Sequence, residues 1–419
     1  MRDRESSTMP TLWKNYNAWL LLGGQWVSQM GNAFFTIAAF WYVLADTHSR
    51  LALGFVGAAA AVGGIFSIVT GVWVDRWDRR RTMIGTDSAR FVLMTGAYLS
   101  LVLLRHLPLG VLLGIVVGVN LGGALFSPAQ FALVPDVVSQ EDLGTVNGID
   151  QSASSVAQWI GYSLGGFIMG IVGVVGLVGS DAVTFLISAA TLLGLRVPRK
   201  KHARLQNNGL RSVWSQIVAG QRVIWSHNFL KRAMPTALVV NFAMMTLTVL
   251  DVAWARQVLH GNATVYGLLE SAFLVGAVAG GLLFGRIPAT FVLKSRIILC
   301  LSLAGVALVG FSLVQTISIS LASLGVVGLA FGILNATMAT MIQQLVSTEL
   351  LGRIGGSIMA ISAVSTPLGA VLAGWAGSRW PLPAVFCTAG ILVALMALPF
   401  IWISQDFNII QPTVERTME

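Results

Sequence analysis

The sequence predicts an all-α membrane protein of twelve transmembrane helices in two pseudo-symmetric six-helix halves, with both termini in the cytoplasm. Three observations predict it. The chain is 55% hydrophobic and 10% charged with a mean hydropathy of +0.78, against about 25% charged residues in a soluble protein. Apolar runs long enough to cross a ~30 Å hydrocarbon core recur along its length. Residues 138–166 also match 346–374 without a gap at an offset of 208, eleven of the 29 positions being identical, Gly148/Gly356, Ser154/Ser362, Gly161/Gly369 and Gly166/Gly374 among them. An offset of half the chain that links the fifth run to the eleventh indicates a duplicated unit. Continuous apolar runs without period-two alternation favour helices over a β-barrel.

The elements follow in order. The run 16–44 comes after a charged and polar head without a small-residue cleavage site, and it reads as an uncleaved helix, not a signal peptide. Runs 51–74 and 83–104 flank a tight charged turn. Runs 107–133, 145–172 and 176–195 complete the first half, 1–200, which closes on the basic cluster Arg196 to Lys201. In the linker, 201–232, the residues Leu210, Val213, Trp214, Ile217, Val218, Ile224 and Trp225 recur at helical spacing among polar neighbours. That is an amphipathic helix on the membrane surface or beneath the bundle, a tether between the halves. Runs 233–257, 264–286, 296–316, 318–343, 354–377 and 383–404 make the second half, 233–419.

Charge orients the bundle. Of the 26 Lys and Arg, 21 fall in even-numbered loops or the tails, and four (Arg50, Arg105, Arg256, Arg379) fall in odd-numbered loops. Basic residues accumulate on the cytoplasmic side. The net charge of +9 is therefore mostly topology, with anionic lipid headgroups and not nucleic acid as its partner. Cys300 and Cys387 lie inside predicted helices and make neither a disulfide framework nor a metal site.

The turn between the second and third runs is the most specific segment. Gly71, Asp75, Arg76, Arg79 and Arg80 stand at the spacing Gly, three residues, Asp-Arg, two residues, two basic residues. This resembles the loop 2–3 signature of the major facilitator superfamily, with Asp78 where a second Gly is common. Gly161-Tyr162-Ser163-Leu164-Gly165-Gly166 is similar to the family's antiporter signature in helix 5, with Tyr162 in place of Pro. Within the family the chain looks most like the bacterial macrolide-efflux and siderophore-exporter branch, through Gly23 to Gly31, Asp75 to Arg81, Ser127-Pro128-Ala129, Val134-Pro135-Asp136 and Tyr266 to Glu270. Two departures stand beside these matches. Predicted helix 4 lacks the Arg that many proton-coupled drug exporters carry there, and helix 1 has Asn32 where several have an acid.

Enzyme chemistry has little support. The chain contains no Walker-type phosphate loop and no His-Glu-x-x-His. Its one nucleophile-elbow pattern, Gly161 to Gly165, lies within a membrane helix, not on a strand-to-helix turn.

Polar residues inside apolar helices must face protein or water. Gln25, Ser28, Gln29, Asn32 and Thr36 share one face of helix 1. Asn147, Asp150, Gln151, Ser154, Gln158 and Tyr162 share one face of helix 5, and Asn241, Thr248 and Asp251 form a sparser row in helix 7. These rows predict a wet, substrate-sized cavity, with Trp26, Trp159 and Trp254 as candidates for its aromatic wall. Asp75 and Asp87, beside Arg79 and Arg90, read as a gating cluster that holds the halves together on the inner side. Asp150, Asp181, Asp251 and Glu270 lie deeper. A carboxyl withdrawn from water favours its neutral form, as a proton carrier requires, so each is either a proton carrier or a fixed structural partner. Glu270 stands first for coupling, then Asp251, then Asp181.

The resemblance implies alternating access between two rocking halves and export of an amphipathic, macrolide-type compound in exchange for protons. It implies no cofactor and a monomer in the prokaryotic cell membrane. Transport of an endogenous metabolite or siderophore, and lipid flipping, remain alternatives within the same fold.

Overall fold

A computed structural model describes residues 15–74, 77–195, 218, 221–287, 293–346 and 348–401. Among them the structure is helical and has no strand. Helix α1 is Tyr16–Thr47, α2 Arg50–Val74, α3 Arg79–Leu103 and α4 Leu109–Val137. The next run, Leu143–Gly194, is broken at Gly173 (φ 67°, ψ −173°), a backbone region that only glycine adopts readily. Its two arms are α5 (143–172) and α6 (174–194). Then come α7 (Asn228–Ala253), α8 (Ala263–Phe284), α9 (Leu293–Leu313), α10 (Ile317–Leu345), α11 (Thr348–Arg379) and α12 (Leu382–Leu395).

Local chemistry sets several ends. The Asn15 and Asn262 side chains accept from the backbone N–H of Ala18 and Val265 and so cap α1 and α8. Asp78 accepts from Arg81 N–H at 2.9 Å and caps α3. The Asp that breaks the loop signature is thus the start signal of the next helix. Pro108 and Pro381 precede α4 and α12, where a missing N–H costs nothing. At its C-terminal end α7 loosens into a π-turn, Trp254–Val258.

Among the described residues nine helices are long and apolar enough to cross a membrane, Leu143–Gly194 counted once. The polar row of α1 and the charges of α3 keep those two outside that set. The helices coincide with the apolar runs of the sequence to within about five residues, except that α11 begins six residues before its run and α12 stops at Leu395, where a short turn of helix, Leu398–Ile401, follows. Most of the amphipathic helix expected over 210–225 lies outside the described residues, as do Asp75 and Arg76. Of its apolar residues Ile224 is buried with Phe229 and Leu230, and Trp225 is exposed.

The packing repeats. Helix α1 lies between the two arms: Trp26 meets Asp150 and Ala33 meets Gly161 on α5, while Gly24 meets Thr191 and Gly31 meets Asp181 on α6. Contacts that advance together on α5 and oppositely on α6 make the arms antiparallel, so the chain reverses at Gly173. Helix α7 lies likewise against α11 and α12, α2 packs on α4 as α8 packs on α10, and α3 packs on α4 as α9 packs on α10. Between these two sets, α2 meets α11 and α5 meets α8.

Candidate functional site

A cavity of about 490 Å³ lies between the two sets. From α1 it takes Gln25, Gln29, Asn32 and Thr36, from α5 Gln158 and Tyr162, from α4 Asn120 and Ser127, and from the second set Met245, Thr248 and Thr366. Phe35, Phe40 and Phe126 add apolar wall. Polar groups set among aromatic and aliphatic surface suit an amphipathic guest.

The polar rows of the sequence are brought together only in part. Asn147 and Gln151 are exposed near the start of α5, Asn241 lies one turn from Met245, and none of the three lines the cavity. The tryptophans expected in its wall are elsewhere. Trp26 stacks edge-on against Trp19, and its Nε1 donates to Asp150 Oδ1 at 3.2 Å. Trp159 faces outward. Trp254 is wholly buried, stacked on Phe311 at 4.6 Å and edge-on to Phe386, with Nε1 donating to Ser320 Oγ. A tryptophan at helical spacing from polar residues belongs as readily to the core, where its N–H finds a partner. The sequence does not mark Asn120 or Thr366, and it marks Ser127 only within the Ser127-Pro128-Ala129 motif and not as a cavity residue. The seven-residue spacing of Asn120 and Ser127, two turns of one face of α4, was the signal available for that pair.

The four deep carboxyls separate by environment. Asp150 accepts from Trp26, from Gln130 Nε2 at 3.2 Å and from Ser154, and so ties α1, α4 and α5. That is a satisfied structural partner. Asp181 Oδ2, Asp251 Oδ1 and Glu270 Oε1 are enclosed and accept no hydrogen bond among the described residues. Glu270 interacts with Asp251 of α7, with Tyr266 one turn back and with Tyr162 of α5. Tyr162 in turn neighbours Thr36 and lines the cavity. Tyr162, Glu270 and Asp251 therefore lie within electrostatic reach of one another in that order, leading from the cavity toward the second set of helices.

The gating residues are distributed differently from the sequence expectation. Gly71 lies in the last turn of α2. Arg79 Nη1 pairs with Asp136 Oδ2 at 2.9 Å and donates to Ala132 O. Arg80 donates to the Leu192 and Leu193 carbonyls, at the negative end of the α6 dipole. These contacts bind α3 to α4 and α6 inside the first set and do not bridge to the second. Asp87 and Arg90 are deeply buried and are not at the helix end. Arg90 Nη1 lies 3.4 Å from Asp87 Oδ1, its Nε donates to Val119 O at 3.0 Å, and the Phe185 and Phe126 rings lie 5.2 and 5.8 Å away. Ser188 donates to Asp87 Oδ2 at 2.6 Å, and Asp181 lies within electrostatic reach. Arg90 lines the cavity beside α4, where Gly122 and Gly123 leave room for it. A cation carried by α3 thus stands against α4 at the cavity wall.

The two sets are joined at one end. Arg50 Nε and Nη2 donate to Gln257 Oε1 at 2.8 and 2.6 Å, and its Nη1 donates to Gly377 O at 2.7 Å. Thr264 donates to Gly166 O, and the Ser163 and Ser271 hydroxyls lie 2.7 Å apart.

Comparisons with known proteins agree with this geometry. The sequence model of the Major Facilitator Superfamily matches residues 21–366 and 236–408. Macrolide efflux protein A of Streptococcus pyogenes is 24% identical over 403 residues, covering 92% of this chain and 96% of that protein. Multidrug efflux pump Tap of Mycobacterium tuberculosis is 24% identical over 425 residues, covering 94% and 97%. Among solved structures, the nucleoside transporter NupG superposes with a TM-score of 0.71 at 11% identity, covering 92% of this chain and 98% of that one. A bacterial homologue of the iron transporter ferroportin, inward-facing, gives 0.67 at 14% identity, with the same coverage.

Proposed function

The chain belongs to the major facilitator superfamily, and from that premise we propose that it exports amphipathic, macrolide-type compounds across a prokaryotic cell membrane in exchange for protons. It is a membrane transporter and not an enzyme. Twelve spans with both termini cytoplasmic, and a monomer seated among anionic headgroups, complete the reading. The efflux proteins named above support the substrate class by similarity.

The observation that carries the mechanism is the path from Tyr162 in the cavity to Glu270 and Asp251 behind it. Two carboxylates within electrostatic reach of one another and shielded from water repel, so a proton held on one member relieves the pair. A guest that reaches Tyr162 changes what Glu270 faces, and proton release follows. Loss of the proton toward one side and recapture from the other links export to the gradient, worth ~2.3 kcal/mol per charge per 100 mV. By the distribution of basic residues the joined end, with Arg50 and Gly377, faces outward, and the cavity then serves the cytoplasmic side. Rocking of the halves reverses this.

Reconstituted protein under an imposed pH gradient tests the reading with a labelled macrolide, for wild type and Glu270→Gln. Gradient-driven flux that disappears in the variant supports it. Flux kept in the variant moves the proton to Asp251 or Asp181. Folded wild type that carries no macrolide points to a metabolite, a siderophore or a lipid.

A further inference from the structure

A second cavity of about 490 Å³ lies away from the central one, between α7, α11 and α12. We propose that this groove seats one acyl chain of a phospholipid from the outer leaflet, with the lipid phosphate at Arg379. The proposal rests on the chain being embedded in a membrane and is independent of the transport cycle.

Duplication shows why the groove exists. On α5, a methyl group built at Gly161 would lie 2.9 Å from the Met30 carbonyl oxygen, so α5 rests on the backbone of α1. Its counterpart on α11, Gly369, meets side chains instead, Phe242 at 2.9 Å and Met245 at 3.2 Å. Bulky side chains hold α11 off α7 where glycine lets α5 close on α1. The gap left beside α7 is the groove, and Leu372, Trp380 and Leu392 on its rim are half exposed.

Three features select the occupant. Its lining carries no charged residue, and its two hydroxyls, Thr246 and Thr388, already donate to Phe242 O and Ala384 O of their own helices. A guest there finds apolar wall and no hydroxyl proton left to accept. From Gly369 to its end at Arg379, α11 runs eleven residues beside the groove, about 16 Å at 1.5 Å per residue, and half of a ~30 Å hydrocarbon core is one leaflet. The end of the groove on the outward side is marked by Trp380, edge-on to Trp375 at 5.2 Å, and by Arg379 over the Trp375 ring at 5.8 Å. Tryptophans mark the interfacial level, and an exposed arginine there complements a phosphate.

The test uses full-length protein in bilayers containing a phospholipid with a photoactivatable group along one acyl chain, followed by peptide mapping. Label concentrated on 369–392 in wild type, lost to the level of other membrane-facing helices in Ala389→Trp, supports the proposal. Arg379→Gln provides a second reading at an exposed position, in case the filled groove fails to fold, and is expected to reduce the same label. Label spread evenly over the outer helices, or unchanged in both variants, overturns it. So does displacement by an added macrolide, which would make the groove a substrate site.

Discussion

Gly54 of α2 and Gly374 of α11 cross so closely that a methyl group added at Gly374 would lie 2.7 Å from the Gly54 Cα. Gly166 of α5 and Gly267 of α8 repeat the crossing, with a corresponding distance of 3.0 Å from Gly267 to the Gly166 Cα. The obstacle in each case is backbone, which cannot rotate away. Gly374→Leu should therefore prevent outer closure, at a cost of about 1–3 kcal/mol in that conformation. A longer distance between spin labels at His48 and Ser378, in protein of unchanged helix content, is the expected result; an unchanged distance would refute this role.

Arg50 latches the same end. Arg50→Ala removes two bonds to Gln257 and one to Gly377, and about 1–3 kcal/mol of the closed state with them. Faster thiol labelling of a cysteine placed at Ala370, buried against Gly57 in the closed seam, measures the gain in opening.

Glu270→Gln keeps the shape of the acid and cannot release a proton. If Glu270 loses its proton as the substrate binds, wild-type apparent affinity rises with pH, with about one proton released per substrate by linkage. The expected profile for the variant is flat over the range in which the wild type responds. Titration calorimetry in two buffers counts the protons, and equal release from both proteins would place the carrier elsewhere.

Arg90→Met leaves Asp87 and Asp181 without their shared cation. Breaking a buried pair from one side costs about 3–5 kcal/mol, read as a lower Tm in detergent. Adding Asp87→Asn should recover part of the loss, because it removes one of the two stranded charges.

Trp254→Ala should cost about 3–5 kcal/mol as a large-to-small core change. The folded fraction should bind the substrate as wild type does, whereas Gln29→Ala or Gln158→Ala should weaken binding about two- to tenfold without a change in Tm.

The helices were legible because each apolar run obeys a length set by the bilayer, and the polar rows of α1 and α5 were legible through helical period. Tyr162 and Gln158 reach the cavity as that period predicts. Depth and direction were less visible. Arg90 sits eleven residues into α3, close enough to a charged turn to be read with it, and only packing shows it beside Val119. Trp254 follows Asp251 by three residues, yet the π-turn that begins there carries its ring into the aromatic core with Phe311 and Phe386. Asp150 and Glu270 look alike as isolated acids in apolar sequence. Their difference lies in Trp26 and Gln130, donors from other helices.

The space that Gly122 and Gly123 leave for Arg90 has an evolutionary consequence. A methyl group at either position would collide with the guanidinium or its stem, so the cation and the pair of glycines, about thirty residues apart, form one heritable unit. While Arg90 holds this position, a side chain at 122 or 123 forces the guanidinium to move; with the charge elsewhere, both sites can be filled. Joint variation at 90, 122 and 123 across a set of descendants would record that history.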